Sequence, residues 1–427
     1  MINKIKNIAN TEDKKRLLGN FFSLSVLQAF TYILPLLTLP YLVRVLGVDK
    51  FGLVMFAQAF IMFFNILVDY GFNLSATREI SIHRDDKSKV TEIFSSVMTI
   101  KAILIFVSFV LLTIVIFSFE KFSSDWELYY LSFLLVIGNA MFPIWYFQGM
   151  EKMKYITIVN ISSKVIFTIL IFIVIQEPND YIYVPLLSGF GFIVGGIISL
   201  WIVYKNFNQS FLFQRFNILK KHFQDSSQFF LSRLSSVGYS NSNTFLVGVM
   251  LSPQFVTYYY LADKAISVVL SVFDPIIQSI YPYLSKKFNF TFLIKLLSMM
   301  MFSSLIIVIV LFTVSDYLSL FLLKEVNGIF VNTLTILLAV IPVSIFYVML
   351  GAPLLLARGY KKEFNKSIIY GFIIHLLILT ILYIYYLLNT NINEILIYLF
   401  AGSLLFSKFI VMFIRMYYVY KYKVYKR

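Results

Sequence analysis

Long apolar runs recur along the whole chain. A helix needs about 20 mostly apolar residues to cross the hydrocarbon of a bilayer. Twelve stretches qualify, at roughly 18–43, 51–72, 93–118, 127–148, 156–176, 183–204, 225–251, 255–283, 292–322, 329–357, 366–388 and 393–419. In lipid the backbone must satisfy its own hydrogen bonds, so such runs fold as helices. Composition agrees: 59% of the 427 residues are hydrophobic and 13% are charged, against roughly 25% charged in soluble domains. The expected fold class is an all-α membrane protein with twelve transmembrane helices in two six-helix lobes.

The net charge of +15 would suggest nucleic acid in a soluble protein. Here the basic residues sort by side instead. The N-terminal tail and the even-numbered connections hold, among others, Lys14, Lys15, Arg16, Arg78, Arg84, Lys152, Lys154, Lys220, Lys221, Lys361 and Lys362, and the C-terminus adds Lys421, Lys423, Lys426 and Arg427. The opposite side holds only Arg44, Lys50, Lys121 and Lys324. Lysine and arginine accumulate on the cytoplasmic side of short connections. Both termini are therefore expected in the cytoplasm, and no nucleic-acid partner is needed to explain the charge. The basic start, MINKIKNIANTEDKKRLLGN, reads as a cytoplasmic tail and not as a cleaved signal.

The division expected is a tail over 1–17, one lobe over 18–204, a basic cytoplasmic linker over 205–224, a second lobe over 225–419 and a tail over 420–427. Six spans in each half would make any repeat parallel, about an axis along the membrane normal. The chain has no cysteine and three scattered histidines, so neither disulfides nor a metal site is expected. There is no Walker A sequence and no acid pair on a large external loop, which points away from an enzyme.

One polar stripe stands out. Residues three and four apart share a helix face, and Tyr260, Lys264, Ser267, Ser271, Asp274 and Gln278 follow that spacing through an otherwise oily run. Charged groups at membrane depth are costly and face a bundle interior or a wet cavity, so a continuous helix here would wall a polar chamber. Asp263 and Asp274 are the embedded acids of that region. On helix 2, Gln58, Asn65, Asp69 and Asn73 form a second stripe; Asp69 reads either as a helix-end carboxylate at the interface or as a gate or coupling group. On helix 7, Gln228, Ser232, Ser235, Tyr239 and Ser242 form a third, with Arg233 beside it. Lys164 lies about eight residues into helix 5, roughly 12 Å at 1.5 Å per residue. Lys408 and Arg415 are seven apart on helix 12. Lys101, near the end of helix 3, reads as a residue that snorkels to the interface. Pro35 and Pro40 kink helix 1, as a hinge or simply as shape. His375 is a further coupling candidate with a structural reading beside it, and Gly195-Gly196 reads as close helix packing. Surplus buried cations among hydroxyls suit an anionic, hydroxyl-rich solute: phosphate groups would meet Lys and Arg, and sugars would meet the polar stripes.

Four stretches carry a family resemblance: LTLPYLVRVLGVDKFGLVMFAQAF (37–60), DYGFNLSATREIS (69–81), WYFQGMEKMKYITIVNISSK (145–164) and YYYLADKAISVVLSVFDPIIQSIYPYLSK (258–286). They resemble the Wzx-type polysaccharide flippases of the MATE-like (MOP) superfamily, over nearly the whole chain. The resemblance implies two facing six-helix lobes around a cationic cavity, and translocation of undecaprenyl-diphosphate-linked oligosaccharide from the cytoplasmic to the periplasmic leaflet of the bacterial inner membrane. Membrane lipid is an implied partner, and polysaccharide polymerase and chain-length machinery are candidate contacts. No cofactor is implied, with a proton or sodium ion as candidate for coupling. Arg78, Lys164 and Lys264 fall inside the matched stretches, while Arg233 and Lys408 rest on their stripes. These five are the expected substrate-binding cations. Asp69, Asn65, Asp263, Asp274, Ser267, Ser271 and Gln278 are the expected polar or coupling residues. The superfamily's multidrug branch relies on an acid in helix 1, which this chain lacks; an ion-coupled exporter of small amphiphiles is the alternative reading.

Overall fold

A computed structural model describes residues 12–286, 288–389 and 392–424, with the side chains of 12–27, 29, 32, 33, 232, 240, 282 and 286 not described. Most of the expected 1–17 tail, the side chain of Ser232, and Lys426 and Arg427 thus lie outside the described residues.

Every regular element among the described residues is helical. In chain order they are α1 (Glu12–Asp69), α2 (Phe72–Ile82), α3 (Lys87–Ser118), α4 (Glu120–Ser123), α5 (Trp126–Met141), α6 (Ile144–Gly149), α7 (Met153–Val174), a 3₁₀ turn (Pro178–Ile182), α8 (Tyr183–Asn206), α9 (Phe216–Met250), α10 (Pro253–Ser271), α11 (Asp274–Lys286), α12 (Phe290–Thr313), α13 (Ser315–Leu323), α14 (Gly328–Leu338), α15 (Val340–Met349), a π-helical segment (Leu350–Leu356), α16 (Lys361–Leu388) and α17 (Asn393–Lys421). Nine helices among the described residues are long and apolar enough to cross a membrane, or ten if the bent pair α10–α11 counts as one. The twelve expected from sequence are not all recovered by this test. It treats Leu34–Ile82 as one span, and α9 is not among those that qualify. The polar groups along α9 are the reason for the second difference.

Two compact units divide the chain: Met1–Leu46 with Phe60–Arg233, and Gly47–Ala59 with Leu234–Arg427. The change of unit at residue 47 has a local cause. Gly47 is the one residue inside α1 with non-helical dihedrals (φ 74°, ψ 165°), while Pro35 and Pro40 stay within helical geometry. Only glycine takes such a φ without a steric penalty, so the break falls at Gly47 and not at the prolines. The expected 205–224 linker is mostly helix: α8 runs to Asn206 and α9 begins at Phe216. The stretch between them is pinned to α3, with Gln209 Nε2 donating to Thr91 Oγ1 at 2.7 Å and Leu212 N to Ser95 Oγ at 3.0 Å.

Inside the first unit, α5 and α8 pack where side chains are smallest. A Cβ on Gly138 would meet the backbone of Phe192 and Ile193, and one on Gly196 would meet Met141. Gly195 lies against Ser163, so the glycine pair serves packing, as expected. The outward face of α3 shows Ile103, Phe106, Phe109, Val110, Ile114 and Phe117 exposed. Such an apolar exterior is stable only against hydrocarbon, and the chain is a multi-pass membrane protein.

Within the second unit, Asn243 of α9 ties three helices together. Its Nδ2 donates to Tyr259 Oη (2.8 Å) on α10 and to the Phe400 carbonyl (2.9 Å) on α17. Asn243→Leu is expected to cost roughly 1–3 kcal/mol by removing both bonds and taking this partner from the buried Tyr259 hydroxyl, as read by thermal unfolding in detergent. His375 is fully buried between Ser407 Oγ (2.9 Å) and Ser242 Oγ (3.1 Å).

Candidate functional site

The first unit holds a polar pocket of about 130 Å³, lined by Asn65, Asp69, Asn73, Lys101, Asn139 and Arg233 over an apolar floor that includes Met62 and Phe142. Its position follows from the chain: α1 ends at Asp69, Tyr70 and Gly71 take positive φ, and α2 starts at Phe72. Asp69 is thereby placed among α3, α5 and α9. Lys101 Nζ lies 3.8 Å from Asp69 Oδ1, and both side chains are buried. Asn73 Nδ2 donates to the same Oδ1 at 2.6 Å. Asp69 Oδ2 and Asn73 Oδ1 are buried with no hydrogen-bond partner among the described residues. Lys101 is 3% exposed, so it does not snorkel. An aspartate is in reach one helix away, and pairing there leaves less charge unsatisfied than burial alone would.

The other predicted cations of this unit sit elsewhere. Lys164 on α7 donates from Nζ to Thr31 Oγ1 at 2.7 Å. Arg78 is exposed and lines a separate groove of about 330 Å³ with Glu79, Asp225 and Gln228, away from the Asp69 pocket. Nearby, buried His222 stands 3.1 Å from Glu79 and 3.6 Å from Glu92, joining α9 to α2 and α3.

In the second unit the expected continuous stripe over 260–278 is broken. α10 ends at Ser271, α11 starts at Asp274, and the two are bent by 41°. Pro275 causes this: it has no N–H to continue the ladder, and its ring crowds the carbonyl of the residue four back, Ser271. Val272 and Phe273 tighten into i→i−3 bonds to Val269 and Leu270 instead. Ser271 is buried and donates to the Val268 carbonyl at 2.5 Å, so its hydroxyl is spent on its own helix. Ser267 and Gln278 are exposed, and Asp274 occupies the first turn of α11. Asp263 is half-buried, with Lys264 and Lys408 as its electrostatic neighbours.

Lys408 itself donates to Ser344 Oγ at 2.9 Å. It borders a chamber of about 300 Å³ with Ser235, Ser236, Tyr239, Tyr347 and Arg415. Arg415, 3% exposed, was absent from the expected site. Its signal is legible in the sequence, since seven residues from Lys408 is two turns on one face. Among the described residues no group of three or more His, Cys, Asp or Glu side chains could hold a metal ion.

Apolar helices around buried, partly charged pockets define a multi-span membrane transport fold. Solved structures share it: "Lipid II flippase MurJ, inward closed conformation" at TM-score 0.70 and 14% identity, covering 92% of this chain and 87% of that one, and an inward-facing multidrug resistance MATE family transporter of the MOP superfamily at 0.68 and 14%, covering 92% and 96%. At such identity the likeness is one of fold. The chain belongs to the polysaccharide biosynthesis protein family, whose model matches residues 17–288. It is 30% identical over 416 residues to the "Putative O-antigen transporter" of Escherichia coli (strain K12), covering 94% of this chain and 98% of that protein. It is also 28% identical over 392 residues to a protein of the same name from Shigella dysenteriae, covering 89% and 98%.

Proposed function

We propose that the protein is a flippase for an undecaprenyl-diphosphate-linked oligosaccharide, an O-antigen or capsular repeat unit. It would carry this lipid from the cytoplasmic to the outer leaflet of the bacterial inner membrane by alternating access. The transporter relatives and the fold shared with a lipid II flippase support the reading. In it, twelve helices span the bilayer and both termini face the cytoplasm, as the charge bias favours.

One observation carries the proposal. In each unit a lysine on an apolar helix donates to a hydroxyl, Lys164 to Thr31 and Lys408 to Ser344. At Lys408 the hydroxyl satisfies the donor without cancelling its charge. Moving a diphosphate through about 30 Å of hydrocarbon unaided is prohibitive, and positive charge held at span depth lowers that barrier. Lys164, Arg233, Lys264 and Lys408 would bind the diphosphate, the polar faces would carry the sugars, and the prenyl chain would stay in lipid. Asp69, with a buried oxygen lacking a partner among the described residues, is the group we assign to proton or sodium coupling.

Lys164→Ala and Arg233→Ala are each expected to lower translocation of a labelled lipid-linked oligosaccharide in proteoliposomes at least tenfold, with surface glycan lost and membrane protein level unchanged. Wild-type translocation by both variants would remove these residues from the mechanism. Export of small cationic amphiphiles, without accumulation of lipid-linked oligosaccharide on deletion, would favour the multidrug reading instead.

A further inference from the structure

We infer that the chamber inside the second unit, walled by Arg415 and Lys408, is an oxyanion site that takes a phosphate or diphosphate group. Arg415 is 3% exposed and borders a cavity of about 300 Å³. Burying a guanidinium costs several kcal/mol unless a counter-charge compensates. Among the described residues neither Arg415 nor Lys408 has a carboxylate within ion-pairing distance; Asp263 is Lys408's electrostatic neighbour from α10 but makes no ion pair with it.

The guanidinium is built into place. Its Nε donates to Ser367 Oγ at 3.0 Å and its Nη1 to the Tyr347 carbonyl at 2.7 Å. It lies over the Phe364 and Tyr347 rings, with centroids at 4.8 and 5.1 Å. A Cβ on Gly351 would overlap Nη1, so the π-helical segment Leu350–Leu356 presses against it. π-Helical turns recur at functional sites. Two of the five N–H donors are spent on these contacts, and the remainder has no acceptor among the described residues. Lys408, two turns away on the same face of α17, adds an ammonium to the same cavity, with the hydroxyls of Ser235, Ser236 and Tyr239 around it. A fixed arginine fork with open donors matches a tetrahedral oxyanion in geometry as well as charge. Free phosphate and a lipid diphosphate share that chemistry. Only the second source rests on the flippase reading.

The absence of cysteine provides the test. Ser236→Cys places the chain's single thiol on the cavity wall, and its labelling rate by a maleimide reports occupancy in the full-length protein in detergent, with gluconate replacing chloride. Inorganic pyrophosphate is expected to slow labelling at least fivefold. Arg415→Lys, which keeps the charge but loses the fork, and Lys408→Gln should each raise the pyrophosphate concentration needed at least tenfold. A circular dichroism spectrum and melting temperature matching the parent would show that these variants fold. No protection by pyrophosphate, equal protection by chloride, or wild-type protection in both folded variants would overturn the site. In nanodiscs, polyprenyl diphosphate protecting where neutral lipid does not would identify a lipid headgroup as occupant; protection by inorganic pyrophosphate alone would leave a soluble oxyanion. Translocation by the parent without any protection sinks the chamber and spares the flippase reading, while protection without translocation does the reverse.

Discussion

Asp69→Ala should destabilise the first unit by roughly 3–5 kcal/mol, the range for removing one partner of a buried ion pair. The pair is enclosed, with the Lys101 side chain 4% and the Asp69 side chain 14% exposed. Alanine at 69 would leave the Lys101 ammonium stranded at 3% exposure, and Asn73 Nδ2 would lose its acceptor as well. Removing both charges should be far milder. The double variant Asp69→Ala with Lys101→Met replaces a buried pair with apolar volume, an exchange that is often neutral. Thermal unfolding of the four proteins in one detergent gives the coupling. If the double variant loses as much as the two single losses summed, the residues are not partners. A useful corollary concerns transport: should Asp69 carry a coupling ion, the restored stability of the double variant would come without restored translocation.

Gly52→Ala is the second large effect. Gly52 belongs to the short segment Gly47–Ala59 that joins the second unit. A Cβ there would overlap the Pro253 carbonyl and crowd Thr257 Oγ1 at 2.9 Å. Backbone at the first turn of α10 cannot swing aside as a flexible side chain could. Thr257 also donates to the Val48 carbonyl at 2.5 Å, so the same contact holds this segment in place. Overpacking a tight site costs typically about 1–3 kcal/mol, occasionally more, and a clash with backbone belongs at the upper end. Gly402→Ala is the matched control, since no atom lies within 4 Å of its would-be Cβ; in a helix interior it should gain up to about 1 kcal/mol from propensity. Equal melting temperatures for the two variants would mean that the Gly52 contact tolerates a methyl group.

The Asp69 pocket and the second-unit chamber differ in how much of them a reader of the sequence could see. Asn65 and Asp69 share a spacing of four on α1, so their common face follows from helical periodicity, whereas Asn73 lies beyond the break at Tyr70 and Gly71 and only the fold returns it to Asp69. That Lys101 joins them does not follow from spacing either, because a lysine near a helix end can reach the interface or turn inward, and only the position of α3 beside Asp69 chooses. Arg233 is expected among the substrate-binding cations, and the fold sets it on the wall of the Asp69 pocket. The stripe from Tyr260 to Gln278 failed at Asp274-Pro275, where a proline signal present in the sequence outweighed the spacing argument. Arg415 shares the Lys408 face by spacing, but its partners Ser367, Tyr347 and Phe364 come from other helices and only the fold supplies them.

Sequence by itself determined the helical class and the membrane setting, since each depends on composition and on periodicity within single segments. The family resemblance, too, was readable from contiguous stretches. Tertiary structure alone decided that Lys101 meets Asp69, that Arg415 meets Ser367, Tyr347 and Phe364, and that residues 47–59 join the second unit. Those outcomes hang on contacts between helices far apart in the chain, and no local spacing encodes which neighbour a buried charge will meet.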